Sequence, residues 1–159
     1  MKHNTQRRAG FGLLDILLAL AVSAIIVVLA VRYYTNTQIA QKTNQTMDQL
    51  TQIRQAVATQ IQNNSANSKS TSNNITITTL INSQLIEPST AISAWDKSQI
   101  TISTSTSSTC LSLNVTICGI AKGAEWNAVS GKFTATFAGE NPSVGQGSNN
   151  CMLMITCLE

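Results

Sequence analysis

Residues 11–31 read FGLLDILLALAVSAIIVVLAV, an apolar run interrupted by two polar side chains, Asp15 and Ser23. As an α-helix rising 1.5 Å per residue the run is about 31 Å long, enough to cross the hydrocarbon core of a bilayer. A secretory signal peptide has a shorter apolar core followed by small residues at its cleavage site. Here Arg32-Tyr33-Tyr34 follows instead. Lys2, Arg7 and Arg8 precede the run and Arg32 alone closes it, so the charge bias places the N-terminus in the cytoplasm and the chain beyond Tyr34 on the far side. Tyr33 and Tyr34 suit the outer interface, where aromatic rings with a polar tip are favoured.

Asp15 is the anomaly in this segment. A carboxylate inside a membrane helix costs on the order of 3 kcal/mol on insertion scales and needs a partner. Either the apolar core starts at Ile16 and Asp15 lies among the headgroups, or a cation meets the carboxylate within the membrane.

The run Arg7-Arg8-Ala9-Gly10-Phe11-Gly12-Leu13-Leu14-Asp15 resembles the class III leader of type IV prepilins: a basic leader ending in Gly, then Phe, then an acidic residue four positions on, heading an apolar helix. Asp stands here where the family usually has Glu, and Gly12 where it usually has Thr. The resemblance implies a prepilin peptidase that cuts after Gly10 and N-methylates Phe11. It also implies that Asp15 neutralises the terminal amine of a neighbouring subunit as the chain joins a filament. A buried carboxylate is tolerable when so paired.

The bulk composition agrees with an exported, self-packing chain. At 159 residues one domain is expected. The net charge of +3 arises from Lys2, Arg7 and Arg8, because seven Lys/Arg face seven Asp/Glu from Phe11 onward. A nucleic-acid partner would need a basic stripe on the folded part, and none is visible. Ser and Thr fill 37 positions while charged residues make up 11%, a surface that is polar yet weakly self-repelling.

Beyond the membrane the pattern stays helical. Ile39, Thr43, Met47, Leu50, Ile53, Val57 and Ile61 recur at spacings of three and four, predicting a helix to about Gln62 whose second half lays one apolar face on a sheet. Asp48 and Arg54 read as solvent-facing charges. The polar run Asn63–Asn74, NNSANSKSTSNN, predicts a mobile loop. Ile75–Ile86 reads as a short strand or helix stopped at Glu87-Pro88. Gln99–Ser105, Cys110–Ile117, Lys132–Ala138 and Cys151–Leu158 each carry apolar or β-branched residues at period two, predicting an antiparallel sheet of about four strands. Gly145-Gln146-Gly147 reads as a turn. The expected fold is therefore α+β, a long N-terminal helix packed on a C-terminal antiparallel sheet, which is also what the pilin resemblance implies. Its parts are a leader over 1–10, a transmembrane or filament-core helix over 11–31, an amphipathic half over 32–62 and an extracellular head over 63–159.

Cys110, Cys118, Cys151 and Cys157 all lie in the last third. An even number in a translocated domain favours disulfides, whereas spacings of C-x7-C and C-x5-C, with no histidine after His3, match a zinc site poorly. Four cysteines allow three connectivities. A second resemblance lies in Leu80–Ile102, LINSQLIEPSTAISAWDKSQITI, which is similar to the stretch of type IVb and conjugative-plasmid pilins where a short helix and a proline precede a Trp ahead of the first strand; Trp95 is that residue. Packing in the core or an interface is the expected role of Trp95 and Trp126. The family closes its C-terminal region with a disulfide, which implies a bond from Cys110 or Cys118 to Cys151 or Cys157. Loop-closure entropy favours Cys110–Cys151, which closes about 40 residues.

No catalytic constellation emerges. The one histidine, His3, falls in the leader, no two acids are paired by spacing, and no phosphate-binding glycine loop or metal spacing is present, so neither an enzyme nor a cofactor is expected. The expected partners are copies of the chain itself, the prepilin peptidase, the membrane and an inner-membrane pilus assembly platform. The expected location is the inner membrane before assembly and an extracellular pilus afterwards, for adhesion, aggregation or conjugation. A minor pilin or secretion pseudopilin would share the processing. A monomeric binding domain tethered by residues 11–31 would give Asp15 no amine to meet.

Overall fold

No proline or glycine falls between Leu13 and Ala66, and one uninterrupted helix, α1, spans those residues in the computed structural model, which describes residues 12–66, 75–106, 110–147 and 150–158. The helix passes the expected end at Gln62 and takes in Asn63–Ala66, because Asn and Ser disfavour a helix by only a fraction of a kcal/mol each. The rest of the polar run, expected as a mobile loop, lies outside the described residues. The chain divides into two compact units at Gln38–Ile39.

Within the first unit, the large apolar side chains from Leu13 to Val31 are exposed on every side of α1. A helix apolar all round has no preferred inner face and belongs in hydrocarbon or in a helix bundle. By length and composition it is able to cross a membrane. Ser23 Oγ donates to the Ala19 carbonyl at 2.8 Å, so the hydroxyl in this stretch is satisfied by its own helix.

The second unit, from Ile39 onward, holds α2 (Ile77–Asn82), α3 (Ala124–Thr136) and strands β1 (Thr101–Thr106), β2 (Leu111–Ile117), β3 (Ser143–Gln146) and β4 (Met152–Leu158). The sheet is antiparallel throughout, in the order β1-β2-β4-β3. Residues alternate across it: Leu113, Val115 and Ile117 of β2 and Met152, Met154, Thr156 and Leu158 of β4 are buried, and the residues between them are half exposed. The buried face forms one core with Met47, Leu50, Ile53 and Val57 of α1, the stripe anticipated from spacing. Thr43 and Thr46 share that stripe, and each hydroxyl donates to the carbonyl four residues earlier, at 2.7 and 2.8 Å, which removes the cost of burying it. Leu80 of α2 and Val129 and Phe133 of α3 close the core.

Three expectations are corrected here. Lys132–Ala138, read as a strand, belongs mostly to α3, where Trp126, Val129, Phe133 and Phe137 follow helical spacing and the Phe133 and Phe137 rings pack 5.1 Å apart. The fourth strand is β3, which includes Gly145 and Gln146, read as a turn. Arg54 is likewise no free surface charge. Its guanidinium pairs with Glu140 at 2.6 Å and lies 5.8 Å from the Phe137 ring centroid, joining α1 to the segment after α3. Asp48 is exposed, as expected.

Ile53 is 0% exposed at the centre of this core. Ile53→Ala is expected to destabilise the second unit by about 2–5 kcal/mol, read as a lowered urea midpoint with unchanged slope for the full chain in detergent.

Candidate functional site

Two features outside ordinary core packing stand out: the carboxylate at the start of the apolar stem and the covalent staples of the sheet. Asp15 lies in the first turn of α1. The Gly12 N–H points to its Oδ2 at 3.4 Å, too long to satisfy a carboxylate. Among the described residues no cation pairs with it; the ion pair found there is Arg54–Glu140. An acid near a helix N-terminus is favoured by the helix dipole, but by about 0.3–1 kcal/mol, less than the cost of placing it in hydrocarbon. Gly10 and Phe11, the expected cleavage residue and methylated terminus, lie outside the described residues.

All four cysteines are bonded, as Cys110–Cys157 and Cys118–Cys151, with sequence separations of 47 and 33. The favoured Cys110–Cys151 bond is therefore corrected, and register supplies the reason. Leu111 pairs with Leu158 and Ile117 with Met152, so Cys110 and Cys157 meet at one end of the β2–β4 ladder while Cys118 and Cys151 meet at the other. A Cys110–Cys151 bond would have to span the whole ladder, about 23 Å at 3.3 Å per residue, far beyond disulfide reach. Both bonds join the earlier cysteine pair to the later one, as the resemblance implied.

Next to the Cys118–Cys151 staple sits a turn, Ile92–Ser98, that straps the sheet to α1. Gln49 Nε2 donates to the Ile92 carbonyl at 2.8 Å, Trp95 Nε1 to Thr46 Oγ1 at 3.0 Å and Ser93 Oγ to the Cys118 carbonyl at 3.1 Å. Lys42 lies over the half-buried Trp95 ring, 5.3 Å from its centroid, and Lys132 of α3 donates to Asn44 of α1. Trp95 and Trp126 both pack against the core, the role expected of them. No local pattern announces the strap, because its contacts join residues as far as 49 positions apart.

Gly119 holds the strap down. Its φ of +87° is costly for a side chain, and an added Cβ would lie 2.5 Å from Asp96 Cβ and 2.9 Å from the Asp96 nitrogen. Gly119→Ala is expected to destabilise the unit by about 2–3 kcal/mol, seen as a lowered thermal midpoint with both disulfides intact. The Asp96 carboxyl feels slight burial, which alone would push it up, but hydrogen bonds from the Ser98 hydroxyl and backbone N–H, at 2.6 and 2.9 Å, outweigh that and hold it below its usual value. A carboxyl depressed on folding lends stability above its unfolded value near 3.9 that is lost as pH falls through the folded value. The urea midpoint of the native chain should therefore fall more steeply below about pH 4 than that of Asp96→Asn.

Among the described residues no three His, Cys, Asp or Glu side chains gather into a group that could hold a metal ion. No family model matches this chain, and neither a curated protein nor a solved structure matches it.

Proposed function

We propose that this chain is a structural subunit of a type IV pilus, of the type IVb kind, processed by a prepilin peptidase and polymerised through its apolar stem. The observation that carries the reading is Asp15: a carboxylate without a cation among the described residues, at the head of a helix whose apolar side chains are exposed on all sides. Both oddities have one remedy. Cleavage after Gly10 uncovers an ammonium at Phe11, and the Asp15 carboxylate of an adjoining copy neutralises it as the stems pack. Copies then cover one another's apolar surface, which in a membrane setting is driven by packing and by relief of unpaired polar groups.

The division of labour along α1 supports the same reading. Residues 12–36 are all exposed, whereas the stripe from Thr43 to Val57 is committed to the sheet. Two disulfides suit a head that works outside the cell, where thiols oxidise. No catalytic role is proposed. The proposed partners are other copies of the chain, the peptidase, the membrane and the inner-membrane assembly platform, and the proposed final location is the cell surface.

N-terminal sequencing of membrane-extracted protein should give a chain beginning at Phe11, with that residue methylated. Asp15→Ala should still be cut and reach the membrane, yet its amount in sheared surface fibres should drop more than a hundredfold, the scale of breaking a buried ion pair at about 3–5 kcal/mol. A chain that keeps Met1–Gly10 in piliated cells, or normal fibres from Asp15→Ala, rejects the proposal.

A further inference from the structure

We infer that the stem pairs with a second copy of this chain in response to bilayer thickness, because Asp15 leaves its apolar span too short for the membrane it crosses. The inference rests on the membrane-spanning part of the reading above and deepens it. Helix α1 has no break in this region, so the span is fixed by its polar ends. Between Asp15 and Arg32 lie sixteen residues, Ile16–Val31, about 24 Å of helix against a hydrocarbon core of about 30 Å. The carboxylate resists entry at one end, the guanidinium at the other, and Tyr33 and Tyr34 hold the outer end at the interface. Were residue 15 apolar, the helical span from Leu13 to Val31 would reach about 28 Å and nearly match the core.

A span this short draws the surrounding lipid inward, and the strained ring of lipid shrinks when two short spans share a boundary. Another copy is the occupant that fits. Its polar ends lie at the same depths, so neither carboxylate is drawn into hydrocarbon when the helices meet, and all the large apolar side chains from Leu13 to Val31 are more than half exposed and available for contact. Mismatch thus supplies a drive toward self-association that acts before any cleavage, and that strengthens as the bilayer thickens.

The test uses the full chain, uncut, in vesicles of phosphatidylcholines whose monounsaturated acyl chains carry fourteen, eighteen or twenty-two carbons. Energy transfer between copies labelled on a C-terminal tag reads association at fixed protein-to-lipid ratio. For the native chain, association should strengthen roughly tenfold from the thinnest to the thickest bilayer. Asp15→Leu lengthens the span at one end. The triple change Arg32→Leu, Tyr33→Leu, Tyr34→Leu lengthens it at the other and leaves Asp15 in place. Both should flatten the response. A native chain indifferent to thickness overturns the inference, and so does a full response in either variant, since length alone is claimed to matter. Because cleavage plays no part in this assay, a negative result leaves the filament reading standing, and an uncut chain in cells would sink that reading without touching this one.

Discussion

The antiparallel ladder between β2 and β4 is the contact on which the second unit depends. Its seven residue pairs occupy the centre of the sheet, so β1 and β3 each have one neighbour and both neighbours belong to this ladder. The same register that buries Val115 opposite Met154 and Ile117 opposite Met152 also brings the cysteines together at both ends. A slip of one residue would turn every buried side chain of a strand outward and would part the sulfurs as well. Packing and covalent closure therefore select the same pairing, which is the agreement between levels that gives a sequence one structure.

Helix α1 presents two different surfaces along one continuous backbone. From Thr43 to Val57 its buried side chains follow the spacing of a helix with one covered face, and the polar members of that face, Thr43 and Thr46, bond back to their own helix. From Leu13 to Val31 no such asymmetry exists. The two regimes share a hydrogen-bonding strategy: Ser23, Thr43, Thr46 and Thr51 each donate to a carbonyl one turn earlier. Hydroxyls that satisfy themselves are compatible with hydrocarbon and with a protein core alike. Asp15 has no such recourse: among the described residues no cation meets it.

What could be read from the sequence follows from the range of each interaction. The stem, the buried stripe of α1 and strands β1, β2 and β4 were legible because each is written in a local period. Lys132–Ala138 misled because Phe133 and Phe137 are four residues apart, a spacing that satisfies period two and period 3.6 equally. Trp126 and Val129, which decide for the helix, lie upstream of that segment. β3 is four residues long with a glycine inside, too short and too weakly apolar to announce itself. The disulfide pattern was hidden because it depends on register, and the entropy of loop closure that favoured Cys110–Cys151 cannot outweigh a gap the length of a strand. Of the candidate site, the bonding of all four cysteines was legible from their even number, and Asp15 because an acid in an apolar run is conspicuous without any knowledge of its surroundings.

Covalent topology decides what a pull along the stem could do to the second unit. Cys110–Cys157 closes a ring that contains β2, α3, β3 and β4, and Cys118–Cys151 closes a smaller ring inside it. Tension between the stem and Cys157 passes across the outer bond and cannot lengthen the residues it encloses. The segment that remains extensible runs from α1 to Cys110, through α2, the strap and β1. Within it the strap is the part tied on both sides, to α1 through Gln49 and Thr46 and to the staple through Ser93 and Gly119. The turn Ile92–Ser98 thus ties that extensible segment to α1 on one side and to the staple on the other.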